Sequence, residues 1–108
     1  MVLEVNLDPA IGSEPNMTRP CVVIQNDIGN RYSPISVVAA ITGAENVAKR
    51  YPVDVLIAKG EGGLNKDSVV QCNLIGCVDE RRFVRTLGRL SPATMEKVDE
   101  ALRISLSL

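Results

Sequence analysis

The chain has 108 residues, of which 45% are hydrophobic and 23% are charged, and its formal net charge is −1. This length predicts a single domain, residues 1–108, with a modest core that would gain stability from pairing with a second copy. The nearly balanced charge excludes a global attraction for nucleic acid, so any site for a polyanion has to be a local patch.

The absence of histidine narrows the chemistry further. Histidine-based acid–base catalysis and histidine-containing triads are excluded within one chain. Five candidate carboxylate ligands lack the spacing of a metal-binding loop, namely Asp8, Glu14, Asp27, Asp54 and Glu61. If the chain is an enzyme, we therefore expect it to work without a metal or another cofactor.

The cysteines and the N-terminus indicate where the protein works. Cys21, Cys72 and Cys77 are an odd number without paired CxxC spacing, which favours buried free thiols in a reducing cytoplasm. The N-terminus MVLEVNLDP has neither a basic region nor a long apolar run, so it predicts neither a signal peptide nor a membrane span. We expect a cytoplasmic protein with no membrane partner.

Six short β-branched runs recur between Gly, Pro and Asn residues, and each predicts a strand: Val2–Leu7, Pro20–Gln25, Ile35–Thr42, Pro52–Ala58, Ser68–Ile75 and Val84–Leu90. Strands at this spacing predict a small, strongly bent sheet or barrel. The runs VVI and VVAAI are continuous rather than alternating, so the second and third strands should be more fully buried.

Three connections carry most of the Gly and Pro residues. The first, Asp8–Thr18, is long for a compact hairpin, and loops of that length are usually functional or mobile. The second, Asp27–Pro34, holds Arg31 and Tyr32. The third, Lys59–Asp67, contains three glycines but lacks the Lys-Ser/Thr ending of a phosphate-binding P-loop, which favours a flexible hairpin turn.

The end of the chain changes to a helical period. Ser91 followed by Pro92 is a good helix start, with an N-cap and a proline at the first helical position. One face of the predicted helix is largely apolar and carries Met95, Val98, Leu102 and Ser105/Leu106. This amphipathic helix should pack on the sheet or on a partner.

The stretch TRPCVVIQND, residues 18–27, places Arg19 directly before a buried strand. A guanidinium in that position is costly unless it has an anionic or carbonyl partner. One interpretation is that Arg19 caps the loop by bonding carbonyls or pairs with Asp8 or Asp27. The other is that it binds an external anion.

Several motifs together resemble the MazF/PemK/Kid family of toxin endoribonucleases: LDPAIGSE, TRP, QNDIGNRYSP and AIT, with the tail RLSPATMEKVDEALRISLSL similar to the closing helix of that family. The resemblance covers nearly the whole chain. It implies a mainly β fold with a C-terminal helix, a compact SH3-like barrel of the CcdB/Kid/MazF type, and a homodimer. It also implies metal-independent, sequence-selective cleavage of single-stranded mRNA, which inhibits growth.

The resemblance further implies a cognate MazE/PemI-like antitoxin. Such a partner should be acidic and partly disordered, because a carboxylate-rich segment can take the place of RNA and become ordered on binding. The toxin and antitoxin together would repress their own operon, with operator DNA contacted only indirectly, through the antitoxin.

By motif, Arg19 of TRP and Thr42 of AIT match the catalytic pair of the family. The chemistry is reasonable because RNA carries its own nucleophile, the ribose 2′-hydroxyl, and needs only alignment, charge stabilisation and protonation of the leaving 5′-oxygen. A guanidinium with a pKa above about 12 is a poor base, so we assign Arg19 chiefly to charge stabilisation. Thr42 would add a hydroxyl hydrogen bond. Glu14 is a candidate for activating the 2′-hydroxyl.

The candidate RNA-binding residues come from the first two long loops. Three match family positions that line the RNA site, and two are polar-loop candidates, with Tyr32 offering a ring on which a base can stack: Ser13, Glu14, Asn26, Arg31 and Tyr32. Four of them also have an ordinary alternative. Ser13, Glu14 and Asn26 fit turn chemistry, and Tyr32 fits packing at the rim of the core.

The strand that reads QCNLIGCVD departs from the family pattern, in which an acidic residue, Gln and Arg-Thr-Ile-Asp are common. Here those positions hold Asn73, Leu74, Gly76 and Cys77. The alternative is therefore a degenerate member of the family that binds RNA or an antitoxin without cleaving. An interaction module that acts on a protein target, as CcdB-like relatives do, would leave Arg19 and Thr42 without a special role.

A basic cluster follows the strand and comprises Arg81, Arg82, Arg85 and Arg89. One interpretation is a contact surface for RNA or antitoxin, and the other is a solvated face whose arginines pair with nearby acidic residues. The second is favoured because charged side chains on a protein surface commonly form exposed ion pairs.

Overall fold

The computed structural model describes residues 1–6, 18–24 and 34–108. The elements in chain order are β1 Val2–Asn6, β2 Thr18–Val23, β3 Ile35–Gly43, β4 Asp54–Ile57, β5 Ser68–Asp79, β6 Phe83–Gly88 and α1 Pro92–Leu106. Short 3₁₀ turns follow β3, β4 and β5, at Ala44–Asn46, Glu61–Gly63 and Glu80–Arg82.

The six strands form one sheet in the order β4-β5-β3-β2-β1-β6. Every neighbouring pair is antiparallel. The expected mainly β fold with a C-terminal helix is confirmed, and each predicted strand exists. The Lys59–Asp67 segment joins β4 to its partner β5, as the predicted hairpin turn requires.

The long strand β5 provides the bend of the sheet. Its first part pairs with both β4 and the end of β3, and its second part pairs with the start of β3 and with no other described strand. The register shifts where Ala39 faces Ile75 but Ala40 faces Gln71, so three residues of β5 bulge out of the ladder. A bulge of this kind bends a strand and increases its twist. Beyond the bulge the strand stays paired with β3 and continues to Asp79, four residues past its predicted end.

The core divides into two clusters on opposite faces of the sheet. Alternation along β1 directs Val2 to one face and Leu3 to the other, and both are almost fully buried. The larger cluster contains Val2, Ile41 and Ile57 and is covered by the helix. The smaller one contains Leu3, Val5, Cys21, Val38 and Val78, with Phe83 packed against it.

Helix α1 begins as the sequence predicts. The Ser91 hydroxyl accepts a hydrogen bond from the Thr94 amide at 3.2 Å, and Pro92 follows at the first helical position. Val98 and Ala101 are buried, and Met95 and Leu102 pack partly against the larger cluster. Leu106, predicted on the apolar face, is 55% exposed because it lies in the last turn of the helix.

The structure corrects one prediction about the cysteines and several strand ends. Cys21 and Cys72 are buried free thiols as expected, but Cys77 is exposed. It lies in the second part of β5, which pairs with no strand other than β3 among the described residues. Strand β6 begins at Phe83 rather than Val84 because Phe83 pairs with Val5 of β1, and it ends two residues early. Among the described residues, no helix has the length and apolar character needed to cross a membrane.

Candidate active site

Arg19 and Thr42 lie at the ends of neighbouring strands. Arg19 is the second residue of β2, and Thr42 is the last but one of β3. The β2–β3 ladder pairs Cys21 with Ala40, and continuing its register by two residues sets Arg19 opposite Thr42. Opposed residues of antiparallel strands project to the same face, so the fold brings the two predicted catalytic residues together.

Both residues line one cavity of about 570 Å³. Its wall is formed by the first residues of β2, the end of β3, the start of β5, part of β6 and the turn that precedes β5. Arg19 is half-buried, and no described carboxylate forms an ion pair with it. The alternative pairing with Asp8 or Asp27 lies outside the described residues.

The hydroxyl of Thr42 has a fixed partner. The Asn46 side-chain amide donates a hydrogen bond to Thr42 Oγ1 at 3.2 Å. Because the threonine oxygen accepts this bond, its own hydrogen stays free to be donated to an anion in the cavity. No sequence pattern points to Asn46, which reaches Thr42 because the chain after β3 turns through the 3₁₀ segment Ala44–Asn46.

The Cys21 thiol reports the electrostatics beside Arg19. Burial raises the pKa of Cys21 to about 11, while the positive charge of Arg19 acts in the opposite direction. The arginine charge is therefore felt inside the smaller core cluster, two residues along the same strand.

Two further cations line the cavity, and each is held by an exposed or partly exposed carboxylate. Arg85 donates from Nε and Nη2 to Glu4 Oε2, at 3.3 and 3.2 Å. Lys66 Nζ pairs with Glu45 Oε1 at 2.5 Å. The sequence pattern does not point to Lys66, and it assigns Arg85 to the basic cluster, because the pairing of β6 with β1 is what brings Arg85 to this cavity.

The rest of the basic cluster behaves mostly as a solvated face. Arg81 pairs with Asp79 at 3.1 Å and is largely exposed. This interaction, through the Arg81 guanidinium, holds the pKa of Asp79 below its ordinary value. Arg82 donates to the main-chain oxygen of Asn6 at 3.4 Å.

The five predicted RNA-binding residues, Ser13, Glu14, Asn26, Arg31 and Tyr32, lie outside the described residues. In the described part of the chain, no three His, Cys, Asp or Glu side chains come together as a metal site. The four departures from the family pattern, Asn73, Leu74, Gly76 and Cys77, are all exposed on β5.

Comparison with known proteins decides the family. The model of the family described as PemK-like, MazF-like toxin of type II toxin-antitoxin system matches residues 1–106. The chain belongs to this family. The chain is also 46% identical over 103 residues to Endoribonuclease EndoA of Bacillus subtilis (strain 168), an alignment that covers 95% of this chain and 88% of that protein.

Solved structures of MazF toxins share the fold. The Mycobacterium tuberculosis toxin MazF-mt6 superposes with a TM-score of 0.82 at 20% identity, over 99% of this chain and 96% of that one. A MazE–MazF complex from Deinococcus radiodurans gives a TM-score of 0.77 at 22% identity, over 99% of this chain and 92% of that one. At these identities the likeness concerns the fold alone.

Proposed function

We propose that this PemK-like, MazF-like toxin is an endoribonuclease that cuts single-stranded mRNA at a short preferred sequence without a metal. The observation that carries the proposal is the meeting of Arg19 and Thr42 at one open cavity, with the Thr42 hydroxyl oriented by Asn46. The relative EndoA, which by its name is an endoribonuclease, supports the same activity.

In the proposed reaction, the 2′-oxygen of a ribose forms a bond to the adjacent phosphorus, and the bond from phosphorus to the 5′-oxygen breaks. The products are a 2′,3′-cyclic phosphate and a 5′-hydroxyl. The Arg19 guanidinium offers a planar set of donors to two phosphate oxygens, and Thr42 donates its free hydroxyl hydrogen to the same charge. Glu14 is the candidate that accepts the 2′-hydroxyl proton, and the leaving 5′-oxygen takes a proton from water to become the 5′-hydroxyl.

The protein works as a cytoplasmic homodimer and is neutralised by an acidic antitoxin in this proposal. A 108-residue chain has a small core, which favours pairing with a second copy. The cationic side chains at the cavity, Arg19, Lys66 and Arg85, would attract a carboxylate-rich segment as they attract RNA. A MazE–MazF complex among the structural neighbours supports an antitoxin partner of that kind.

Cleavage of a mixed single-stranded RNA in EDTA by the purified protein tests the proposal. The parent chain should cut, and Arg19→Ala should lose about 10²- to 10³-fold or more in rate, the usual cost of removing one preorganised donor. Thr42→Ser keeps the hydroxyl and should retain activity, whereas Thr42→Val keeps the shape and should lose it. Arg103→Ala, on the surface of α1, is the matched control that should cut like the parent.

Intact RNA with the parent chain in EDTA would refute the proposal and leave the second candidate, a family member that binds without cleaving. That candidate is favoured by Asn73, Leu74, Gly76 and Cys77. A Cβ at Gly76 would have no atom within 4 Å, so Gly76→Arg with Cys77→Thr fits the fold. If the parent is inactive because these groups are absent, this double variant should gain cleavage.

A further inference from the structure

We propose that Arg85 and Lys66 form a second phosphate site, which binds a phosphate of the RNA strand other than the one that is cut. The inference rests on the proposed function in that the ligand is the same RNA. It concerns the path of the strand through the cavity and not the cleavage step.

The register of the sheet separates Arg85 from the Arg19–Thr42 pair. On β1, Val5 faces Arg19, whereas the preceding residue Glu4 faces Pro20 on one side and Arg85 on the other. Successive side chains of a strand point to opposite faces, so Arg85 with Glu4 and Arg19 with Thr42 occupy different sides of the same sheet end. Strands β2 and β6 also lie two strand spacings apart, about 10 Å. Arg85 is thus placed for a different phosphate.

Lys66 completes the site from the turn before β5. The main-chain oxygen of Asp67, the next residue, accepts a hydrogen bond from the Ala44 amide at 2.9 Å, which fixes this turn against the end of β3. Lys66 and Arg85 line the cavity together, and each comes from a different element. Two independently positioned cations at one cavity are suited to a phosphate, which offers several acceptor oxygens.

The existing ion pairs position these cations and leave some of their hydrogen-bond donors available. The bonds to Glu4 engage Nε and Nη2 of Arg85, which leaves Nη1 for a phosphate oxygen. The Lys66 ammonium has three donors, and one of them reaches Glu45. Their side chains are 67% and 55% exposed, and exposed ion pairs of this kind contribute little, so a phosphate can compete for either cation.

The experiment measures how binding depends on salt. The probe is a short mixed-sequence RNA with 2′-O-methyl groups, which lacks the nucleophile and stays intact. For a single strand, the logarithm of the binding constant falls with the logarithm of the salt concentration by about 0.7 for each phosphate neutralised. Because the site holds one phosphate, we expect the magnitude of the slope to fall by about 0.7 when both cations are removed in Arg85→Ala/Lys66→Ala, and by less with either substitution alone.

Two controls make the result specific. Arg85→Lys keeps the charge and should keep the slope. Arg103→Ala removes another largely exposed, ion-paired arginine, which is not among the residues lining the cavity, and should leave the slope unchanged. A double alanine variant with the slope of the parent would overturn the second phosphate site. Because the probe cannot be cut, this outcome is independent of whether the parent cleaves RNA.

A second measurement locates the phosphate once cut sites have been mapped. Uncharged methylphosphonates are placed one at a time along an RNA that contains the preferred sequence, and binding is compared for the parent and the Arg85→Ala/Lys66→Ala variant. We expect one position outside the scissile bond where the loss in the parent disappears in the variant, as a double-mutant cycle requires for two groups in contact. An equal loss in both proteins at every position would contradict the inference.

Discussion

Gly60 and Gly63 form a matched pair for testing how the cavity wall is built. Both have positive φ values, 97° and 75°, which a residue with a side chain adopts at a cost of about 1–3 kcal/mol. They differ in their surroundings. A Cβ at Gly60 would have no atom within 4 Å, whereas one at Gly63 would lie 1.9 Å from the Leu87 carbonyl oxygen.

We therefore expect Gly60→Ala to lower the free energy of unfolding by about 1–3 kcal/mol from backbone strain alone. Gly63→Ala should cost about 1–3 kcal/mol more, the usual range for forcing atoms into an occupied site, since the atom in the way belongs to the main chain. Gly76→Ala is the neutral reference, because its Cβ points into open space and its φ is not positive. It should stay within about 0.5 kcal/mol of the parent.

Urea unfolding followed by circular dichroism gives these values, at one fixed protein concentration because the proposed dimer would make stability depend on concentration. With a slope near 2 kcal/mol/M, a loss of 2 kcal/mol lowers the midpoint by about 1 M. Gly63 and Leu87 both line the cavity, so Gly63→Ala should also weaken RNA binding at temperatures where it is folded. Equal midpoints for Gly60→Ala and Gly63→Ala would refute the packing of this turn against β6.

Three further predictions concern single groups. Asn46→Ala should lower the cleavage rate about 3- to 10-fold with KM unchanged, because the variant loses the net contribution of one hydrogen bond. An unchanged rate would show that Asn46 does not position Thr42. Burial raises the pKa of Cys21 and Cys72 to about 11, and Cys77 is exposed. A thiol reagent at about pH 8 should therefore label only Cys77 in the folded protein. Fast labelling of all three cysteines would contradict the buried positions of Cys21 and Cys72. Hydrogen bonds from Thr94 and Ser91 lower the pKa of Glu61 from its ordinary value of 4.5. The parent should therefore be more stable than Glu61→Gln above that pH and should lose this advantage as the pH falls below it. A stability difference that does not depend on pH would argue against these hydrogen bonds.

Local sequence pattern was sufficient for the strands and the helix start. Runs such as SVVAAIT combine β-branched residues with breakers at both ends, and Ser91-Pro92 is a strong N-terminal signal. The length of β5 was underpredicted because Gly76 interrupts the apolar run, although the strand continues through it to Asp79. A glycine in a strand weakens propensity without forbidding the ladder, and pairing with β3 outweighs the loss.

The composition of the cavity needed three-dimensional information. Arg19 and Thr42 are 23 positions apart along the chain, and only the motif resemblance suggested that they work together. Three other residues also reach this cavity. A turn brings Lys66 there, a 3₁₀ segment brings Asn46, and the pairing of β6 with β1 brings Arg85. None of these has a periodic signature, because the contacts depend on strand order, which binary patterning does not encode.

The departures on β5 and the cations of the second phosphate site have a common physical logic. Asn73, Leu74, Gly76 and Cys77 are exposed, so their exchange leaves the core contacts of β5, made by residues such as Val70 and Val78, intact. At Gly76 the chain lacks the arginine expected from the family pattern, whereas Arg85 and Lys66 bring two cations to the cavity from β6 and the β4–β5 turn. Phosphate contacts position a strand and carry no base information, while base contacts carry the sequence preference. None of the four β5 positions is among the residues that line the described cavity, so a change there should leave the phosphate contacts of Arg85 and Lys66 in place. We therefore expect Gly76→Ala to bind the uncleavable RNA like the parent while Arg85→Ala binds it more weakly, and equal losses in the two variants would contradict this separation.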